Sequence, residues 1–80
     1  PASSEEVKIG FHLRQAADVS LTLHDLQGRE VKSWLDRQSM PSGRHLEAYE
    51  VSGLPAGTYI YRLSTSTGTV RSAKLQILGR

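Results

Sequence analysis

The sequence predicts a small all-β protein, an antiparallel sandwich of six or seven short strands. Three observations point there. Apolar and polar residues alternate with period 2 over several stretches, the spacing of strands that bury one face. Clusters of Gly, Pro, Ser and Asp break those stretches roughly every 8–14 residues, the rhythm of a β-sandwich. Helical periodicity is nearly absent.

The elements follow in order. Val7, Ile9, Phe11 and Leu13 alternate with Lys8, Gly10, His12 and Arg14, giving a first strand with one apolar face. Gln15 to Asp18 connects it to a second, in which Val19, Leu21 and Leu23 alternate with Ser20, Thr22 and His24. Asp25–Leu26–Gln27–Gly28–Arg29 then turns the chain, with Gly28 free to take the positive φ that a hairpin loop demands. Glu30 to Leu35 reads as the returning strand, although Val31, Trp34 and Leu35 also have helical spacing. Met40–Pro41–Ser42–Gly43 is a turn by composition. Arg44 to Val51 is a strand with an internal conflict: Glu47 shares the face of His45 and Tyr49. A buried carboxylate there would be costly, so this strand is expected at an edge, or bulged. Ser52–Gly53–Leu54–Pro55–Ala56–Gly57 is the strongest turn in the chain. After it Tyr59, Tyr61 and Leu63 form one strand face, and Ser64 to Gly68 a polar loop. Val70 to Leu78 closes the chain, with Ala73, Leu75 and Ile77 on one side.

Eighty residues make a single domain, 1–80, that buries only about 60–65% of its unfolded surface. Deep, walled catalytic cavities, typically on the order of several hundred Å³, are not expected at this size. There is no cysteine, which excludes disulfides, thiolate nucleophiles and cysteine-based metal sites. No apolar run approaches the roughly 20 residues of a membrane helix. The opening PASSEEVK is polar and acidic, unlike a signal peptide. The start on Pro1 without an initiator Met gives the expectation of a domain cut from a longer secreted protein. The net charge is only +2, but it is unevenly spread. All eight acids precede Val51, whereas Arg62, Arg71, Lys74 and Arg80 follow it without one. An anionic partner would therefore meet the C-terminal third, unless these are simply solvated charges on outward strand faces.

Catalytic constellations are not found. No serine lies in a nucleophile-elbow pattern, and His12, His24 and His45 are the available bases. His12 and His24, expected on outward faces of adjacent strands, have metal-ligand potential, but no third ligand joins them with tight spacing; the expectation is no metal and no cofactor. Asp18, Asp25, Asp36, Glu47 and Glu50 are ungrouped, which disfavours glycoside hydrolysis. The glycines form no phosphate-binding loop. Basic residues are not interleaved with exposed aromatics, so nucleic acid is not an expected partner. Strand phasing places Trp34 opposite Val31 and Leu35. An exposed Trp34 would serve as a contact or sugar-stacking platform, or fold over a sheet edge.

Four segments carry a resemblance. Ala17 to Val31, with its Asp25–Leu26–Gln27–Gly28–Arg29 turn, resembles the opening half of the C-terminal sorting domain of type IX secretion substrates. Ser52–Gly53–Leu54–Pro55–Ala56–Gly57–Thr58–Tyr59, continuing to Leu63, is similar to the central signature of that family. Arg71 to Leu78 resembles its last strand, and Pro1–Ala2 the remnant of its opening motif. The departure is Glu47, where the family pattern has an apolar residue.

The resemblance implies an immunoglobulin-like sandwich, with Gly28, Gly53, Leu54, Pro55, Gly57 and Tyr59 as its structural signature. It implies a non-catalytic tag behind an N-terminal cargo domain, read by the outer-membrane type IX machinery of a Gram-negative bacterium. The exported protein would be secreted or held at the cell surface, with anionic lipopolysaccharide as the attachment partner after processing. Arg71, Lys74 and Arg80 are the expected recognition residues, because they cluster around the acid-free last strand. Related immunoglobulin-like modules share the same turn elements, so the alternative is an accessory module that binds carbohydrate through Trp34 and Tyr49.

Overall fold

Each period-2 segment becomes a strand. The structure, a computed structural model, describes residues 5–78. It contains β1 (Glu6–Leu13), β2 (Ala17–His24), β3 (Glu30–Met40), β4 (Gly43–Glu50), β5 (Gly57–Thr65) and β6 (Val70–Ile77), and no helix among the described residues. All pairings are antiparallel. One sheet has the order β3-β2-β5-β6, and the other is the pair β1-β4. The result is a small sandwich of immunoglobulin-like type, in the all-β class the alternation predicts.

The sheets meet through the residues the alternation marks as inward. Val19, Leu21 and Leu23 of β2 are fully buried, each 0% exposed. Ile9 and Leu13 of β1, Tyr49 of β4 and Leu63 of β5 pack around Val19 and Leu21. Val51, Tyr59 and Ile77 close a second cluster around Leu23. Val7, Trp34 and Tyr61 touch both clusters and join them.

β3 is a strand, and its helical spacing has a specific cause. Opposite Leu21 stands Leu35, but opposite Thr22 stands Ser33, so Trp34 is an extra residue. Leu23 faces Lys32 and His24 faces Glu30, which makes Val31 a second extra residue. A third irregularity lies between Gln38 and Leu35, where Arg37 takes φ 51 and its N–H donates to Ser20 Oγ. Each extra residue reverses which parity faces inward. Val31, Trp34 and Leu35 therefore all reach the core from a strand.

β4 resolves the Glu47 conflict by position. It pairs only with β1, in unbroken register, and Glu47 lies opposite Ile9. As an edge strand it leaves Glu47 exposed while Tyr49 two residues on is buried. The turn from β4 to β5 then crosses between sheets. Gly53 (φ 86) and Gly57 (φ 153) both need positive φ, as the composition predicts. Tyr59 Oη donates to Pro55 O at 2.6 Å. A buried tyrosine at the start of a strand, bonded to backbone just upstream, is the tyrosine corner of β-sandwiches.

Candidate functional site

The signature residues Leu54, Pro55, Gly57 and Tyr59 act together as a corner rather than as a reactive site. Val51 O accepts from Leu54 N, and Leu54 packs on the second core cluster. With Tyr59 anchored to Pro55, the corner fixes where β5 enters the larger sheet and so sets the position of its hairpin partner β6.

The hairpin with Gly28 is held by Asp25. Its Oδ1 accepts from the N–H groups of Gln27 and Arg29, and its Oδ2 from Arg29 Nε at 2.9 Å. The Arg29 backbone N–H is the largest influence on this carboxyl; desolvation opposes it, and with the Arg29 guanidinium and the Gln27 N–H added the carboxyl is held below the usual carboxylate range. The Gly28 turn thus belongs to the framework.

The last hairpin carries the expected recognition residues. Ser64 and Thr65, expected in a loop, extend β5, and the turn that follows them is tied down: Ser66 N donates to Asp18 O, and Asp18 N donates to Ser66 Oγ. Arg71 and Lys74 are both exposed, but on opposite faces. Lys74 stands opposite Ile60 on the outer face of the sheet. Arg71 stands opposite Leu63 and shares its inner face with Ala73, Leu75 and Ile77. The alternative reading of these charges as solvated on outward strand faces holds for Lys74 and is corrected for Arg71, which is exposed on the inner face. Arg71 escapes burial because the two-stranded sheet is narrower than the four-stranded one beneath it. Ile77 is covered, whereas Ala73 and Arg71 are bare. Arg80 lies outside the described residues.

That difference in width opens a trench of about 750 Å³ between β1 and the β5-β6 hairpin. Phe11, Tyr61 and Leu63 line it with apolar side chains, Thr65, Thr67 and Thr69 with hydroxyls, and Arg14 and Arg71 with guanidinium groups. Its volume reaches the range of small-molecule pockets, but it is not the deep, walled cavity that the chain's size argues against. It is an open-sided trench, and no carboxylate lines it. Nothing in local periodicity signalled it, because it arises from the unequal division of strands between sheets. Arg14, which ends the β1 alternation, is the residue that sequence reasoning passed over.

The remaining candidates separate. His12 and His24 are not on adjacent strands: β1 and β2 belong to different sheets. His24 is hydrogen-bonded to Thr22 Oγ1, and His45 stacks on Phe11 at 5.2 Å and bonds Pro41 O. Among the described residues no group of three metal-ligating side chains forms. Trp34 and Tyr49 are not a sugar platform. Their rings stack on each other at 5.2 Å, Tyr49 is 8% exposed, and Trp34 Nε1 donates to Glu50 O. Strand phasing misplaced Trp34 because it occupies a bulge.

No helix among the described residues is long and apolar enough to cross a membrane. Comparison with curated proteins and with solved structures yields no significant match. Residues 1–77 match the model of the secretion system C-terminal sorting domain. That match spans both the Asp25 hairpin and the Pro55–Tyr59 corner, and the chain belongs to the family of secretion system C-terminal sorting domains.

Proposed function

We propose that the domain acts as a non-catalytic sorting signal behind an N-terminal cargo, engaging the outer-membrane type IX translocon and leading to cell-surface attachment. The observation that carries the role is the family match over residues 1–77. The family is one of type IX sorting signals, which places this protein among those exported by that route. In the finer reading the translocon meets the last hairpin, where Arg71 and Lys74 are exposed and no acid intervenes. Anionic lipopolysaccharide then receives the cargo after the domain is removed. The accessory carbohydrate-binding alternative loses its support, since Trp34 and Tyr49 are spent on each other.

The test is secretion of a reporter fused ahead of residues 1–80 in a host competent for type IX export. The wild-type fusion is expected in the medium or on the cell surface, and its retention inside would overturn the sorting role. Arg71→Glu combined with Lys74→Glu changes only exposed side chains, so its stability effect is expected to stay within about 0.5 kcal/mol. Loss of export from a folded double variant is the expected result. Normal export would show that these charges are not read.

A further inference from the structure

The trench beside β1 is bounded by a strand edge that pairs with no other strand among the described residues. Among them β1 pairs with β4 alone. Val51 N donates to Glu5 O, which sets the hydrogen-bonded phase of that ladder on the odd-numbered residues of β1. The N–H and C=O groups of Lys8, Gly10 and His12 consequently point away from β4, along the open edge. Below this edge lies the shelf formed by β5 and the bare half of β6. Three other strands also end their sheets, but with different surroundings. β3 is broken by three register shifts, which blunt an edge against pairing. β4 and β6 end their sheets as well, and the trench that leaves room for a further strand is lined by β1 and not by β4. One strand laid against β1 would complete the narrower sheet and cover the trench's apolar side chains. The space between the open edge and the β5-β6 hairpin is one trench, so the fitting occupant is a single extended segment.

Charge defines its chemistry. Lys8 and His12 lie on the outer face of β1, with Arg44 opposite His12 and Arg14 just beyond the strand end. Arg71 closes the inner side. Glu6 and Glu50 pair at the far end of the ladder, away from the Arg14 end. A docked strand alternates its side chains between the two faces. Inward residues would meet Phe11, Tyr61 and Leu63, and outward ones Lys8, His12 and Arg14. We propose that this trench is a strand-addition site for an extended partner peptide that alternates apolar with acidic residues. Every described strand already has its place in one of the two sheets, so the occupant is a partner segment. The site is argued from geometry and charge alone, and its test has no secretion readout, so it stands or falls apart from the sorting role.

The experiment adds a peptide of about eight residues, alternating valine with glutamate, to the 80-residue chain, with a valine–lysine peptide as control. Amide hydrogen exchange and NMR shifts are the readouts. The glutamate peptide is expected to slow exchange at Lys8, Gly10 and His12, to shift Phe11 and Tyr61, and to bind roughly tenfold tighter than the control at low salt. Arg14→Glu with Arg71→Glu is expected to reverse that preference. Absence of binding, equal binding of both peptides, or protection at the outer edges of β4 or β6 instead would overturn the proposal. So would a concentration-dependent dimer that protects the same three amides without peptide. A longer natural chain whose residues before Pro1 already protect them and exclude the peptide would also overturn it, in favour of an occupant in cis.

Discussion

Tyr49 is a core aromatic whose two ends have different fates. Its ring stacks on Trp34, but its hydroxyl is buried without a hydrogen-bond partner among the described residues. Burial pushes the phenol's ionisation upward, and the charge of nearby Glu47 adds to the effect. A buried hydroxyl that makes no bond has lost its hydration for no return. Tyr49→Phe keeps the ring and removes that loss, so thermal denaturation is expected to show a gain of up to about 1 kcal/mol at neutral pH. A drop of similar size would mean that the hydroxyl holds a bond in solution. The pH dependence has a definite sign. Native Tyr49 keeps a proton that the unfolded chain releases, so its contribution is intact below the usual tyrosine range and is lost as pH rises through it. The variant is expected to lose less stability across that alkaline window than the wild type.

The Asp25 hairpin shows how one side chain can set an element. A single carboxylate satisfies two backbone N–H groups and one guanidinium N–H across the β2-β3 turn, and Gly28 supplies the positive φ. Because these donors favour the ionised form, the native pKa lies below that of the unfolded chain. The associated stability is present above the usual carboxylate range and disappears as pH falls through the native value. Asp25→Asn is expected to lower the melting temperature at neutral pH and to flatten its acid dependence. An unchanged melting curve would show that the hairpin holds without this charge. Elements of this kind were legible in the sequence, because turn chemistry is local: Gly28, Gly53 and Gly57 announce their backbone geometry by residue type. β1, β2 and β5 were equally legible from strict alternation. Legibility failed wherever a residue's face depends on what lies across from it. Trp34 and Val31 are bulge residues, and no period reveals a bulge. His12 and His24 looked adjacent because β1 precedes β2, yet the chain changes sheet between them. Arg71 shares the parity of Ala73 and Ile77, so its inward face was written in the pattern. Its exposure was not, because that depends on the narrowness of the facing sheet.

At the scale of the molecule, two core clusters in an 80-residue chain must work as one. A domain of this size has a stability near the lower end of about 5–15 kcal/mol. Neither cluster alone would hold a sheet pair against the entropy of ordering it. Val7, Trp34 and Tyr61 contact both clusters, and Trp34 also ties β3 to the facing sheet through its bond to Glu50 O. Trp34 is the only tryptophan, so its fluorescence reports from the seam between the clusters, while far-UV circular dichroism reports from all six strands. Cooperative loss of the whole sandwich requires the two signals to change together. In urea they are expected to give superimposable transitions with one midpoint and no helical signature in the native spectrum. If fluorescence changes at a lower urea concentration than circular dichroism, the β1-β4 sheet detaches first, leaving the four-stranded sheet partly formed. The bridging residues would then be contacts without coupling. Trp34→Ala sharpens the test, since truncating this half-buried ring costs part of the about 3–5 kcal/mol that a fully buried aromatic would. A variant unfolded by both probes supports one cooperative unit. A variant that keeps its strand signal would show that the larger sheet survives without the seam.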